Sequence, residues 1–249
     1  MRLSAVVITF NEEKNIGRLL DSVADIADEI IIADSYSTDS TKEIAAKYPS
    51  VRFITHQFAG YGPQKNFALS QCSGEWIFFP DADEIIDNQA KDSIREIISG
   101  KGEADVYRIK FNNILLGKHL RYGGWGSVSR ERLFRKGFGK YSDDKVHEKF
   151  LTSGRIAELQ GRINHYTYSS VSQHIDKINR YSTLMAEKYA LAGKKVGVIK
   201  IVFGPFFNFI NVFIFKLGFL DGIMGLYAAV CTSYYTFLKY IKLYLRNST

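Results

Sequence analysis

Four short apolar runs alternate with helical or turn-forming segments along the first eighty residues of the chain. The runs cover residues 3–10, 29–33, 51–55 and 75–80. Continuous apolar runs of this length are typical of strands that are covered on both faces. Strands that alternate with helices form a parallel sheet through right-handed crossovers. The sequence therefore predicts an α/β fold with a mainly parallel, twisted sheet.

The segments between these runs carry signals that start helices. Asn11 can cap a helix that extends to about residue 23, and the polar turn at residues 35–41 leads into a second helix. Pro63 is expected to begin a third helix, because proline is favoured in the first helical turn. The later predicted elements are a helix at about residues 89–98 and strands at about residues 105–116 and 130–136.

Polar residues follow three of the predicted strands at their carboxyl ends. Thr9 lies at the end of the first strand and Asn11 follows it, Asp34 follows the second strand, and Asp81 with Asp83 follows the fourth. Ligands of open parallel sheets bind at this edge. Because side chains alternate along a strand, Asp81 and Asp83 at spacing two are expected to point the same way where the fourth strand ends. Such a pair suits Mg²⁺ or Mn²⁺, which complete their shell with water and substrate phosphate; a solvated turn is the alternative for this motif taken alone.

Composition and missing motifs exclude several classes of protein. Of the 249 residues, 46% are hydrophobic and 24% charged, which is typical of globular chains. Two distant cysteines make a disulfide framework or a zinc site improbable. Lys65 stands where a dinucleotide fingerprint needs its third glycine, and the chain has no P-loop motif. The N-terminus lacks a signal-peptide pattern, so the active site is expected to face the cytosol.

Four motifs, in this order, resemble those of the glycosyltransferase family 2 enzymes, which have the GT-A fold: Thr9-Phe10-Asn11-Glu12-Glu13, the segment 34–41, Gln64-Lys65-Asn66-Phe67-Ala68 and Asp81-Ala82-Asp83. The downstream pattern is similar to lipopolysaccharide-core β-glucosyltransferases. The resemblance implies a metal-dependent inverting hexosyltransferase that moves a sugar, with UDP-glucose as the first candidate donor, to a lipid-linked glycan such as the lipopolysaccharide inner core. Transfer to a polyprenyl phosphate is the alternative enzyme activity.

The net charge of +7 also permits a nucleic-acid-binding module, an alternative outside the enzymes. That reading is disfavoured, because no motif of interleaved basic and aromatic residues is evident. No nucleic acid is therefore expected among the partners.

The resemblance assigns nucleotide-binding roles to particular residues. Thr9, Asn11 and Glu12 would border the nucleotide sugar, and Asp34 would contact the uracil ring. Lys65 would approach the pyrophosphate. A purely structural role is the alternative for these residues. Asn11 can be a helix cap, Asp34 a turn former and Lys65 a solvated helix residue.

The resemblance also implies the metal ligands. Asp83 would bind the Mg²⁺ or Mn²⁺ ion, and Asp81 would lie between the ribose and the metal. His165 is a further candidate ligand, with a structural role as its alternative. A cation that bridges both phosphates neutralises the charge on the departing nucleoside diphosphate.

Inversion at the anomeric carbon needs a carboxylate behind the acceptor hydroxyl to take its proton. The Val-His-Glu triplet that ends at Glu148 resembles the acceptor-side motif of the family, so Glu148 is the predicted base. Asp144 is the second candidate and Asp143 the third. Trp125 lies in a glycine-rich loop and either stacks on a sugar face or anchors a turn.

The last third of the chain predicts helices at a membrane surface. An amphipathic helix is expected over residues 171–191, and apolar stretches follow at 201–215 and 222–238. Both stretches are shorter than the roughly 20 residues of a spanning helix, so interfacial helices or a shallow hairpin are favoured over spanning ones. A buried helical subdomain or a dimer interface is the alternative. The basic residues expected to attract anionic lipid are Lys239, Lys242 and Arg246.

The predicted organisation is therefore a GT-A catalytic domain at residues 1–170 and a helical, membrane-interfacial region at residues 171–249. Within the first, residues 1–100 form the nucleotide-binding half and residues 101–170 the acceptor-side half. The expected location is the cytoplasmic face of the inner membrane, with peripheral or monotopic attachment to an anionic surface.

Overall fold

The computed structural model describes residues 2–126, 128–143 and 148–248. The chain packs into two compact units. The first contains the chain up to Phe111 and the segment Ser129–His165, and the second contains Asn112–Val128 and the chain from Tyr166 onward. The predicted boundary at residue 170 assigns residues 112–128 to the catalytic domain, whereas in the structure they pack with the C-terminal helices.

The first unit is built on a parallel sheet, as the sequence predicts. The elements of this part are β1 (Leu3–Thr9), α1 (Ile16–Val23), β2 (Glu29–Asp34), α2 (Thr41–Ala45), β3 (Val51–Thr55), α3 (Tyr61–Ser70) and β4 (Trp76–Phe78). The strands lie in the order β3-β2-β1-β4, and every pairing among them is parallel. Strands β1, β2 and β4 are buried almost throughout, which explains their continuous apolar runs.

Antiparallel strands extend this sheet beyond β4. The elements of this part are β5 (Glu84–Ile86), α4 (Asn88–Glu96) with a π-helical turn at Ile97–Lys101, β6 (Val106–Leu115), β7 (Lys118–Leu120), β8 (Ser129–Arg135), β9 (Lys140–Tyr141), β10 (Phe150–Leu151) and β11 (Ile156–Tyr168). The full strand order is β3-β2-β1-β4-β8-β6-β11-β5, with β7 paired to β6, and β9 and β10 form a separate two-stranded sheet. The sheet is therefore mixed, and its antiparallel part carries residues of the site described below.

Local geometry corrects three sequence-based expectations. Asn11 does not cap a helix: it has a left-handed φ of 56°, and α1 begins five residues later, at Ile16. Helix α3 begins at Tyr61, before Pro63. Strand β4 ends at Phe78, so Asp81 and Asp83 lie in the turn between β4 and β5, and strand alternation does not set their directions.

The core of the first unit lies between α3 and the central strands. Val6, Ile31, Ile77 and Phe134 from four strands pack with Phe79, and each is at most 3% exposed. Burial of a side chain of this size contributes roughly 1.5–3 kcal/mol. The close packing holds the carboxyl ends of β1, β2 and β4 in fixed positions, and the loops that follow these strands carry the predicted site residues.

The second unit is mainly helical. Helix α5 (Val171–Leu191) has the predicted bounds, and α7 (Gly222–Ser248) is ten residues longer than the predicted apolar stretch at 222–238. Between them lie α6 (Val198–Ile210), a π-helical turn (Asn211–Phe215) and a 3₁₀ turn (Gly218–Asp221). Among the described residues, one helical segment, Val198–Phe215, is long and apolar enough to cross a membrane, with a mean hydropathy of 1.9 and 11% of the segment buried.

Candidate active site

Asp81 lies against a buried ion pair at the carboxyl end of β4. The Arg132 guanidinium donates from Nη2 to Asp81 Oδ2 at 2.6 Å and to Glu84 Oε1 at 2.5 Å. Glu84 also accepts the backbone N–H of Asp81 at 3.0 Å. The side chains of Arg132 and Glu84 are only 4% and 1% exposed, whereas that of Asp81 is 38% exposed. Arg132 thus fixes Oδ2 of Asp81 from the protein interior, while the Asp81 carboxylate stays partly exposed to solvent.

The charges around Asp81 make it a strong acid. Burial raises the pKa of the Asp81 carboxyl, but the neighbouring Arg132 and Lys65 cations outweigh burial and lower it well below its usual range. Burial raises the pKa of Glu84 above its usual value, and Asp81 adds to the rise against the opposing charge of Arg132. Of the two carboxyls that share Arg132, Asp81 is therefore the one that stays ionised most readily.

Lys65 joins Asp81 to the predicted base. Its ammonium lies 2.7 Å from Glu148 Oε1 and 3.6 Å from Asp81 Oδ1. The ring centroid of Tyr141 is 4.8 Å from the Lys65 nitrogen. Burial lowers the pKa of Lys65, but Asp81 and Glu148 act against burial and the net shift is upward. Lys65 therefore stays charged, and its contact with Glu148 joins residues that are 83 positions apart in sequence.

Asp83 faces a different partner. His165 on β11 places its Nε2 3.3 Å from Asp83 Oδ2. Strand β11 pairs with β5 so that His165 lies opposite Glu84, the residue after Asp83. Burial lowers the pKa of His165, but the hydrogen bond and charge of Asp83 outweigh burial and raise it. The structure thus brings together the two residues that were predicted as metal ligands from separate parts of the sequence.

This pair fits a divalent cation that the substrate helps to bind. Among the described residues, no group of three or more His, Cys, Asp or Glu side chains is arranged to hold a metal by itself. Mg²⁺ is usually held by one or two carboxylates together with water and substrate phosphates. Asp83 and His165 therefore suit a cation whose remaining ligands come from a bound diphosphate. Asp81 is the adjacent candidate, although its oxygens already contact Arg132 and Lys65.

The ends of β1 and β2 are joined by hydrogen bonds at the predicted nucleotide edge. Thr9 Oγ1 donates to Asp34 Oδ1 at 2.8 Å, and the backbone N–H of Ser37 donates to Asp34 Oδ2 at 2.8 Å. Asp34 is 2% exposed and Thr9 is 3% exposed. Both oxygens of Asp34 have partners within the protein, so its observed role is to shape the turn after β2. A direct contact of Asp34 with a base stays a prediction.

The loop after β1 is tied to the same turn. The Asn11 N–H donates to Ser37 Oγ at 2.8 Å, and Asn11 Oδ1 accepts the N–H of Thr38 at 2.9 Å. The Glu12 N–H donates to Thr41 Oγ1 at 2.8 Å. These bonds account for the left-handed backbone of Asn11, because they fix the loop on both sides of it.

Two buried polar atoms beside Asp81 and Lys65 have no hydrogen-bond partner in the described protein. They are Arg132 Nε and the Tyr141 hydroxyl oxygen. Buried polar groups are nearly always satisfied, so unpaired ones mark places where water or a ligand completes the structure. Both atoms belong to residues whose charge or ring contacts Lys65 or Asp81, which favours this cluster as the binding site.

Asp144, the second candidate base, lies outside the described residues. Trp125 belongs to the second unit, where it is half-buried against a cluster formed by Leu115, Leu120 and Ala228. These contacts agree with the anchoring alternative, and a contact of Trp125 with sugar stays a prediction.

The sequence patterns did not identify Arg132, Glu84 or Tyr141 as site residues. Arg132 is one of three arginines in an alternating segment, and only the structure shows that it alone is buried there. Its position directly before Leu133 and Phe134 is the available signal, since an arginine inside an apolar strand needs an acidic partner. Glu84 follows Asp83 directly and supplies that partner.

Proteins of known family resemble this chain along most of its length. The family model described as "Glycosyl transferase family 2" matches residues 4–144. The chain is 33% identical to the lipopolysaccharide core biosynthesis glycosyltransferase LpsC of Rhizobium meliloti (strain 1021), over 99% of this chain and 93% of that protein. It is 29% identical to an uncharacterised glycosyltransferase of Rickettsia typhi, over 97% of this chain and 86% of that protein.

Solved structures resemble the fold. The mannosyltransferase PcManGT from Pyrobaculum calidifontis, in complex with GDP-Man and Mn²⁺, aligns with a TM-score of 0.56 at 13% identity, over 100% of this chain and 88% of that chain. TarS of S. aureus, in complex with UDP-GlcNAc, aligns with a TM-score of 0.51 at 19% identity, over 100% of this chain and 93% of that chain. At these identities the likeness shows a shared fold, the GT-A fold, which the sequence predicts.

Proposed function

This chain belongs to glycosyltransferase family 2, and from that premise we propose that it is a metal-dependent, inverting hexosyltransferase. Its donor is a UDP-sugar, with UDP-glucose as the first candidate, and its acceptor is a lipid-linked glycan such as the lipopolysaccharide inner core. The observation that carries the proposal is the cluster of Asp81, Lys65 and Glu148 beside the Asp83–His165 pair. This cluster offers both a diphosphate site and a nearby carboxylate base.

The relatives support the donor and acceptor classes. LpsC, the relative from Rhizobium meliloti, is described as a lipopolysaccharide core biosynthesis enzyme, and it aligns over nearly the whole chain. One structural neighbour holds UDP-GlcNAc and another holds GDP-Man with Mn²⁺. A nucleotide sugar and a divalent cation are therefore the ligands that we assign to the described cluster.

Lys65 is assigned to the donor pyrophosphate. Its ammonium is held between two carboxylates, and it is the only cation within 4 Å of Glu148 in the described part of the chain. A diphosphate that enters beside Asp81 competes with Glu148 for this ammonium, because phosphate oxygens are strong acceptors. Donor binding then releases an oxygen of Glu148 for the acceptor. The same event orders the two substrates, with the donor first.

Glu148 is assigned as the general base. It takes the proton of the acceptor hydroxyl, whose oxygen forms a bond to the anomeric carbon on the face opposite the nucleotide. The bond from that carbon to the diphosphate oxygen breaks, and its electron pair leaves with the nucleoside diphosphate. Lys65 and Arg132 hold positive charge near the diphosphate as its negative charge increases. When bound, a divalent cation at Asp83 and His165 supplies further charge neutralisation there.

The membrane surface is assigned as the place of reaction. The apolar residues of α6 are largely exposed, with Ile199 at 77% and Phe207 at 64%. Exposed apolar side chains on a helix that is flanked by lysines and tyrosines are typical of interfacial attachment. The cytoplasmic face of the inner membrane, with peripheral or monotopic attachment, suits an enzyme that takes a nucleotide sugar from the cytosol and a lipid-linked acceptor.

A comparison of acceptors tests this proposal against transfer to a polyprenyl phosphate. Purified protein is incubated with UDP-glucose and Mn²⁺ and either a heptose-containing core glycolipid or a polyprenyl phosphate. The mass of the products is measured by mass spectrometry and their anomeric configuration by NMR. We expect one added hexose on the glycolipid, with inverted anomeric configuration. Glucosylation of the polyprenyl phosphate alone would contradict the assigned acceptor, whereas the assignment of the donor would still hold.

A further inference from the structure

Three lysines of the second unit converge on shared tyrosine rings. The Lys239 ammonium is 4.7 Å from the ring centroid of Tyr240 and 5.7 Å from that of Tyr189. Lys200 lies 5.4 Å from the same Tyr240 ring, and Lys194 lies 4.3 Å from the same Tyr189 ring. We call Lys194, Lys200 and Lys239 the lysine triad. The rings hold the three ammoniums on one patch, formed by the loop after α5, the start of α6 and the middle of α7.

The triad has no acidic partner in the described part of the chain, where none of its three ammoniums forms a salt bridge. Its positive charge is therefore uncompensated. Burial, together with the charges of Lys200 and Lys194, lowers the pKa of Lys239, which agrees with three ammoniums close enough to repel one another. Like charges are gathered at a cost in free energy, and an anion placed among them removes that cost.

The other basic residues predicted to attract lipid are already engaged within the protein. Lys242 donates to the carbonyl and side-chain oxygens of Asn179, to Ser182 Oγ and to Thr183 Oγ1, at 2.7–2.8 Å. Arg246 forms a salt bridge of 2.9 Å with Glu187. Only Lys239 of the three predicted residues remains free of polar partners among the described residues. The triad therefore offers its ammonium charge to an external anion, whereas Lys242 and Arg246 are engaged within the protein.

The surroundings of the triad indicate which anion it takes. Lys200 stands between exposed apolar side chains of α6, with Ile199 at 77% and Val202 at 59% exposed. Lysine beside tyrosine and exposed aliphatic groups is suited to the boundary between lipid headgroups and acyl chains. A phosphate that belongs to a lipid satisfies the ammoniums while its acyl chains cover the apolar side chains. A nucleic acid phosphate leaves those side chains in water.

We propose that the lysine triad binds the headgroup phosphate of an anionic phospholipid and orients the second unit on the membrane. This inference rests on the proposed function only in taking the membrane as the working surface. It concerns neither the donor site nor the acceptor.

Vesicle binding by full-length variants tests the site. The triple variant Lys194→Gln, Lys200→Gln, Lys239→Gln is compared with a control, Lys47→Gln, Lys101→Gln, Lys110→Gln, which removes three charges from exposed lysines of the first unit. Binding is measured by co-sedimentation with vesicles of phosphatidylcholine alone or mixed with phosphatidylglycerol. We expect the triad variant to lose about tenfold or more in affinity for the mixed vesicles, because each basic residue near an anionic surface contributes. The control variant keeps its affinity.

Three results would overturn the proposal. One is unchanged affinity of the triad variant for the mixed vesicles, and another is an equal loss in the control variant, which would indicate net charge without a site. The third is triad-dependent binding of a single-stranded oligonucleotide in the absence of any preference for phosphatidylglycerol. A charge-retaining variant with arginine at the same three positions is expected to restore vesicle binding, which separates loss of charge from loss of fold.

The same variants separate this proposal from the proposed function. Release of UDP from UDP-glucose is measured in detergent with Mn²⁺ and the core glycolipid acceptor, where membrane attachment is not required. The triad variant is expected to keep this activity. If neither the wild type nor the variants release UDP while vesicle binding still depends on the triad, the proposed function fails and the lipid site stands.

Discussion

Arg132 holds two carboxylates at once, and its removal leaves one of them buried without a partner. Glu84 is 1% exposed and Asp81 is 38% exposed. Solvent can therefore still reach Asp81, and Glu84 is the carboxylate that is left buried without a partner. Breaking a buried pair from one side typically costs about 3–5 kcal/mol. We expect Arg132→Met to lower the free energy of unfolding by about this amount, as measured by urea denaturation.

The double variant Arg132→Met, Glu84→Gln is the matched control for this pair. It removes the unpaired charge, so we expect it to be more stable than Arg132→Met alone. Transfer activity is expected to stay low in both variants, since Asp81 lacks its arginine in each. A double variant as unstable as the single one would show that Arg132 acts through packing and not through Glu84.

Glu148 gives the second prediction at this scale. Glu148→Gln keeps the shape of the side chain but cannot take a proton, so we expect transfer to fall by roughly 10²–10⁴-fold. Binding of UDP-glucose, measured by calorimetry, is expected to be unchanged or tighter, because Lys65 no longer faces a charged Glu148. Full transfer activity of this variant would move the role of base to Asp143 or Asp144.

Residue types and their order in the sequence named candidate site residues but not the contacts among them. Asp81, Lys65 and Glu148 were predicted separately, and the structure places Asp81 and Glu148 within 4 Å of Lys65. Their roles stay predictions. Arg132 and Tyr141 were missed because strand alternation does not tell a buried arginine from an exposed one. The cap predicted at Asn11 failed because its side chain bonds the neighbouring loop at Thr38.

At the scale of elements, strands and helices with a regular hydrophobic pattern were predicted well, and a strand without such a pattern was not. The parallel strands and α5 follow their apolar spacing closely. Strand β11, which carries His165, was not predicted. Its residues are mostly polar or partly exposed, and Gly161 interrupts it with a φ of 94°. Its place is set by pairing with β5, a contact that local sequence does not encode.

His174 is expected to make the stability of the second unit depend on pH. It is 5% exposed on α5, stacks on Tyr168 at 4.1 Å and lies 2.9 Å from the Tyr227 hydroxyl on α7. Burial, with a smaller effect of Lys177, lowers the pKa of His174 to about 4, so it is neutral in the fold. The unfolded chain takes up this proton near pH 6.5. Stability is therefore complete above about pH 6.5 and is lost as the pH falls toward about 4.

The expected loss is at most about 3 kcal/mol, since each unit of pKa corresponds to about 1.4 kcal/mol. Thermal unfolding of wild type and His174→Gln between pH 7 and pH 4.5 measures it. The variant is expected to be less stable than the wild type at pH 7, and its stability is expected to change less between pH 7 and pH 4.5. Parallel pH profiles for the two proteins would show that His174 does not titrate as described.

Lys242 tests the packing of α5 on α7. Its four hydrogen bonds join the two helices, and we expect Lys242→Met to destabilise this pair by about 1–3 kcal/mol. Hydrogen exchange of the α5 and α7 amides measures the change. Lys188→Met, an exposed position on α5, is the control and is expected to change little. Loss of vesicle binding in folded Lys242→Met would place Lys242 among the lipid contacts.

At the scale of the whole molecule, two units combine different chemistry within one chain. The first carries the cluster around Asp81, and the second carries exposed apolar helices and the lysine triad. The net charge of +7 alone did not distinguish nucleic acid from membrane or anionic substrate. In the structure, some basic residues, such as Arg132 and Arg246, form salt bridges with acidic residues. The lysine triad has no acidic partner among the described residues. Charge therefore became informative only once its partners were known.

The most direct test of the account is the dependence of UDP release on metal and on Asp83. UDP formed from UDP-glucose and a core glycolipid acceptor is measured with Mn²⁺, with Mg²⁺ and with a chelator, for wild type and for Asp83→Ala. We expect acceptor-dependent release from the wild type with metal, none with chelator, and none from the variant under any condition. Full wild-type turnover in chelator, or turnover of Asp83→Ala equal to that of wild type, would contradict it.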